Sequence, residues 1–120
     1  MADEITLTIP AERDFHRVAH LVLGGLALRL NLTIENLEDL QLAVDAILDR
    51  AGSGAGDLTV TMSLHGDELE TRIGPVDVRA ELARDKGAEL GLRRVLDAVV
   101  DDVDTDGEWV RFRKRVAASG

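Results

Sequence analysis

The chain has no cysteine and no tyrosine, and only two phenylalanines, one tryptophan and two prolines among its 120 residues. Without cysteine there can be no disulfide, no thiolate metal ligand and no cysteine nucleophile. So few rings leave little with which to stack bases or sugars, and the core falls to Leu, Val, Ile and Ala. Basic residues are also scarce: 14 Lys and Arg face 23 Asp and Glu, a formal net charge of -9. That balance repels a phosphate backbone, so no nucleic-acid partner is expected. The longest apolar run, Leu21 to Leu28, is too short to span a bilayer and contains Gly24 and Gly25. The N-terminus lacks the basic and apolar regions of a signal peptide, so a cytosolic location without a membrane partner is expected.

What is present is 45% hydrophobic residues, enough for one core, and residues 1–120 are expected to form a single domain. Ile5, Leu7 and Ile9 alternate with Thr6 and Thr8 as a half-buried strand closed by Pro10. From Ala11 to Leu30, apolar residues recur at helical spacing, although Gly24 and Gly25 should weaken the helix or admit close packing. Thr33 is placed to cap a second helix reaching Arg50, with an apolar stripe of Leu37, Leu40, Val44, Ile47 and Leu48. Its first turns carry Glu35, Glu38 and Asp39, which suit the positive end of the helix dipole. Ala51 to Asp57 reads as a flexible connection. Two strands follow, Leu58 to Leu64 and Glu68 to Ile73, joined by His65-Gly66-Asp67. A short helix is expected over Arg79 to Arg84, another starting near Ala88, and a last hairpin across Asp106-Gly107. This order of elements predicts an α/β (α+β) two-layer sandwich with a mixed, mostly antiparallel sheet and helices on one face.

Three stretches match a known layout in order and spacing: DLQLAVDAILDRA in the second helix, GPVDV after the central hairpin, and GAELGLRRVLDAVVDDV leading to DGEWVRFRKRV. On these the chain resembles the anti-sigma factors of the serine-kinase type, members of the histidine-kinase-like ATPase fold. The resemblance implies a site for ATP and magnesium. In the family, a glutamate on the second helix acts as base and an asparagine one turn later helps hold the metal. Asp45 matches the aspartate before that glutamate, but Ala46 stands at the base and Arg50 at the metal ligand. An alanine takes no proton and a guanidinium repels a cation.

The family's second box is an aspartate that reads the adenine amino group, followed by two alternate glycines. Matched to Arg72-Ile73-Gly74-Pro75-Val76, it puts Arg72 at the acid, keeps Gly74 and puts Val76 at the second glycine. A third box, a glycine pair offering amides to phosphate, appears as Glu89-Leu90-Gly91-Leu92 with only Gly91 kept. With all three boxes altered, the expectation is a binding regulator without catalytic residues, and without ATP or magnesium as cofactors. The resemblance implies a sigma factor and a STAS-domain antagonist as partners, exchanged by partner switching, and a homodimer. Two alternatives stand beside it. One is an active serine kinase in which Arg50 contacts phosphate and Asp45 or Asp49 is the base. The other is a dimerisation module unrelated to sigma factors.

Other patterns read more plainly. Asp102-Val103-Asp104-Thr105-Asp106-Gly107 opens like a calcium loop, but Arg113 stands where the closing glutamate belongs, so a solvated turn is expected. His16 and His20 lie one helical turn apart with no third ligand evident, and are read as a surface or interface pair. GSGAG lacks the lysine and hydroxyl of a phosphate loop. Arg111, Arg113, Lys114 and Arg115 are read as charges that blunt an edge strand.

Overall fold

The structure is a computed structural model, which describes residues 3–51, 56–84 and 91–116. Strand β1 spans Asp3–Pro10, and a 3-10 turn at Arg13–Phe15 leads into helix α1, His16–Leu30. Helix α1 therefore starts later than the apolar spacing suggested, after Ala11 has donated its amide to the Gly56 carbonyl at 2.8 Å. It runs unbroken through Gly24 and Gly25, and a Cβ added at either glycine would meet nothing within 4 Å. The close packing considered at those glycines is absent within the described chain. Asn31 ends the helix at φ 60°, a left-handed conformation that asparagine tolerates.

Thr33 caps α2, Ile34–Leu48, its hydroxyl accepting from the Asn36 amide at 3.1 Å. Strands β2, Asp57–His65, and β3, Glu68–Gly74, form the central hairpin. Two helices follow, α3 at Arg79–Arg84 and α4 at Leu92–Val99, then β4, Asp102–Asp106, and β5, Trp109–Arg115. Helix α4 begins after Gly91; its expected start near Ala88 lies outside the described residues.

The sheet order is β1-β2-β3-β5-β4, and every neighbouring pair is antiparallel. The mixed character anticipated from the element order is not realised, because the strands that run in the same direction, such as β3 and β4, are never neighbours. Strand β5 lies between β3 and β4, so no parallel ladder forms. Alternation along the strands sets two faces. Ile9, Leu58, Val60, Met62, Leu69, Ile73, Val103, Val110 and Phe112 join Leu23, Leu40, Val44, Ile47, Leu92 and Leu96 in one core beneath the helices. The other face is open and polar. Among the helices, α1 packs on α2, α2 also on α4, and α4 on α3, which puts α1 and α3 at the two ends of the layer. No helix among the described residues is long and apolar enough to cross a membrane.

Candidate functional site

Residues one helical turn apart share a face, so the end of α2 and the turn that follows it present Asp45 with Asp49 on one side and Ala46 with Arg50 on the next. Ala46 is buried. The Arg50 Nη1 donates to the Ala46 carbonyl at 3.1 Å. Its Nε donates to both Glu81 carboxylate oxygens, at 3.3 and 3.1 Å, and so ties the end of α2 to α3. Both side chains are about one-third exposed, at 31% and 28%.

Asp45 and Asp49 turn instead toward α1. His20 Nε2 lies 2.7 Å from Asp45 Oδ1, and His16 Nδ1 lies 3.6 Å from Asp49 Oδ1. With Arg13 and Arg17 these four line a shallow cleft of about 300 Å³ between the two helices. The histidine pair, expected at a surface or an interface, is thus engaged with acids at the neighbouring helix. A signal for this was available, because paired histidines on one helix and paired aspartates on the next meet when short-looped helices run antiparallel. Asp45 and Asp49 are accordingly separated from the Ala46 and Arg50 side, where the alternative kinase reading needs its base.

The second box divides too. Strand alternation sends Leu69, Thr71 and Ile73 into the core, so Arg72 projects from the opposite, open face. The expectation that Arg72 belongs with Ala46 and Arg50 in one pocket is corrected by this parity; at that end of β3, the residue on the helix side is Ile73. Arg72 lies in a rung that crosses the whole sheet, Thr6, Thr61, Arg72, Arg111 and Asp104. It helps line an open-face cleft of about 370 Å³ with Trp109. Gly74 serves Trp109 here: a Cβ at Gly74 would lie 2.5 Å from the indole Cδ2 and 2.9 Å from the Glu108 carbonyl oxygen. Val76 is buried, and its amide donates to that same carbonyl at 2.7 Å. Gly91 is the N-cap position of α4, in an extended conformation, while Glu89 lies outside the described residues.

The acidic stretch at Asp102 is a strand up to Asp106, not a solvated turn. Asp104 accepts two hydrogen bonds from Arg111, at 3.0 and 2.7 Å, and Asp102 accepts one from Arg113 at 2.7 Å. The hydrogen bond from Arg111 is the main reason the Asp104 carboxyl lies below its ordinary value of 3.8, against a smaller opposing effect of burial. Strand β5 is interior rather than an edge, so its arginines are cross-strand partners of acids; β1 and β4 are the edges. Lys114 faces the helix side, donating to the Val99 carbonyl at 2.8 Å and lying 3.1 Å from an Asp39 carboxylate oxygen. Among the described residues, no group of three or more His, Asp or Glu side chains is arranged to hold a metal ion.

The donors around Ala46 do not suit a magnesium–nucleotide. They are a methyl group, a carbonyl already accepting from a guanidinium, and the guanidinium itself, whose charge opposes a cation. The Glu81 carboxylate that reaches Arg50 is engaged by that guanidinium.

Comparison with known proteins places this geometry. No family model matches the chain. The serine-protein kinase RsbW of Listeria monocytogenes is 32% identical over 127 aligned positions, covering 86% of this chain and 79% of that protein. The RsbW of Oceanobacillus iheyensis is 24% identical, with 89% of this chain and 81% of that protein covered. Among solved structures, the RsbU and RsbW domains of a Mycobacterium tuberculosis protein superpose with a TM-score of 0.67 at 12% identity. That match covers 95% of this chain and 32% of the solved one, and it establishes the shared fold.

Proposed function

The chain belongs to the RsbW family, and on that premise we propose that it is an anti-sigma regulator acting by protein binding and partner switching, without phosphoryl transfer. Its partners are a sigma factor and a STAS-type antagonist that compete for it. The observation that carries the loss of catalysis is the Arg50–Glu81 pair. Where the family resemblance calls for a neutral metal ligand, this chain has a cation neutralised by its own α3, next to an alanine that cannot take a proton. Magnesium and ATP are therefore not cofactors in this reading. The kinase alternative needs Asp45 or Asp49 as base beside Arg50, but both lie against the histidines of α1, on a different side of α2 from Arg50.

The outer surface of α1 and α2 offers polar contacts to a protein partner through Arg13, Arg17, His16 and His20. The test is direct. The full chain is titrated calorimetrically with a sigma factor and with a STAS-type protein from the source cell, and then with magnesium-ATP. Binding of either protein together with no nucleotide heat supports the proposal. Magnesium-dependent nucleotide binding followed by phosphate on the STAS-type serine sinks the non-catalytic part, and no binding of either protein sinks the regulator itself.

A further inference from the structure

We propose that the open-face cleft beside Arg72 is a binding site for a small monocarboxylate with an apolar body, its carboxylate taken by the Arg72 guanidinium and its body laid against the Trp109 indole. The cleft lies on the face of the sheet away from the helices, so the site goes beyond the regulator reading and does not depend on it.

The cleft follows from side-chain height along neighbouring strands. On β1 and β2 this face carries the short hydroxyl residues Thr6, Thr8, Thr59 and Thr61, whereas β3 and β5 carry Arg72, Arg111 and Trp109. The step down leaves about 370 Å³ of open space, near the lower end of the range that small ligands occupy. The Thr8 and Thr59 hydroxyls hydrogen-bond each other at 3.1 Å, while Thr6 and Thr61, in the same rung as Arg72, line the cleft.

Three arginines stand in the middle of this face, and two of them are held. Arg111 donates twice to Asp104, and Arg113 donates to Asp102. Arg72 has Glu70 at 3.7 Å, too long for a hydrogen bond, and Arg113 reaches that same carboxylate at 3.5 Å. In the strand register Arg72 stands directly opposite Arg111, a like-charge pairing that weakens a sheet and that an added anion relieves. The Arg72 side chain is 49% exposed, so its donors are open to a ligand.

Gly74 supplies the apolar wall. A Cβ there would come within 2.5 Å of the indole, so glycine lets Trp109 lie against β3, one same-face position on from Arg72. The tryptophan remains 39% exposed and lines the cleft with the guanidinium. A planar guanidinium next to an aromatic surface fits a carboxylate joined to hydrocarbon. Charge restricts the ligand to a monoanion. Glu4 and Asp106 line the cleft from the two edge strands and Arg111 is already neutralised by Asp104, so a phosphate dianion would meet more repulsion than Arg72 offsets.

The test titrates 3-cyclohexylpropionate into the full chain and follows the emission of Trp109, the one tryptophan. The emission should change saturably, with a dissociation constant of about 1 mM or tighter. 3-Cyclohexylpropanamide, which lacks the charge, and inorganic phosphate, which lacks the apolar body, should each bind at least about tenfold more weakly. Arg72→Gln should weaken the carboxylate about tenfold or more with an unchanged far-UV circular dichroism spectrum, and Arg72→Lys should recover only part of that loss. Arg94→Gln removes the same charge from an exposed position on α4, on the helix side, and should leave binding as it is. The site is overturned by the absence of a saturable change, by equal binding of the amide or tighter binding of phosphate, by an Arg72→Gln chain that binds as well as the wild type, or by an equal loss in Arg94→Gln.

Discussion

Arg50, just beyond the end of α2, and Glu81 on α3 are joined by two hydrogen bonds from one nitrogen, at 3.3 and 3.1 Å, across 31 residues of sequence. The contact is a strut between elements, at the position to which the family resemblance assigns a metal ligand. Because both side chains are partly open to water, the strut itself is worth little, under about 1 kcal/mol. Its importance is positional: a cation and its counter-ion sit where a divalent metal would need free carboxylate or amide oxygens.

Restoring the two family residues should not restore a kinase. Ala46→Glu with Arg50→Asn leaves Ile73, a side chain without polar atoms, at the helix-side end of β3, and Arg72 remains on the opposite face. Transfer of labelled γ-phosphate to a STAS-type protein should stay at background. Substantial labelling would show that the rest of the site is competent.

Gly74→Ala should cost about 1–3 kcal/mol in urea unfolding. The new Cβ meets the Trp109 indole and also the Glu108 carbonyl oxygen, and the latter is backbone that cannot swing aside. Trp109 is the one tryptophan in the chain, so its emission should shift to longer wavelength as the ring is displaced. Unchanged stability and emission would mean that the turn adjusts freely.

Asp104 gives the acid limb of stability a defined contributor. Its folded carboxyl titrates below the ordinary 3.8 because of the Arg111 hydrogen bonds. The folded state therefore binds the proton less readily than the unfolded chain does. The contribution is present above the ordinary value and is lost as pH falls through the lower folded value. In Asp104→Asn that part of the slope should vanish, so the variant loses stability near neutral pH and converges on the wild type in strong acid. Thermal unfolding across the acid range checks the sign.

Phe112→Ala should be the costliest of these changes, about 3–5 kcal/mol, because the ring is fully buried in the strand-helix core. Thr33→Ala should cost about 1 kcal/mol through loss of the Asn36 amide contact at the start of α2. Denaturant midpoints at constant slope report both.

What could be read from the sequence was what short-range physics decides. The Thr33 cap, the apolar stripe of α2 and the alternation of Ile5, Leu7 and Ile9 each depend on neighbours a few residues away, and each appears in the structure. The hairpin of β2 and β3 was legible for the same reason. Strand order was not. Nothing near Arg111 or Arg113 says that β5 would insert between β3 and β4, and so those arginines looked like edge protection. Arg72 was assigned to the wrong face because motif alignment ignores the two-residue parity of the strand that carries it. Glu81 and Trp109 were missed because their roles depend on pairing with Arg50 and Gly74, contacts that only the folded chain creates.

The most direct test of the central claim is a single mixture of the full chain, magnesium-ATP labelled at the γ-phosphate, and a STAS-type antagonist of the source cell, assayed at once for complex and for label. The account predicts a stable complex whose antagonist serine carries no phosphate. Magnesium-dependent labelling of that serine, abolished by substituting Arg50 or Asp45, would contradict it.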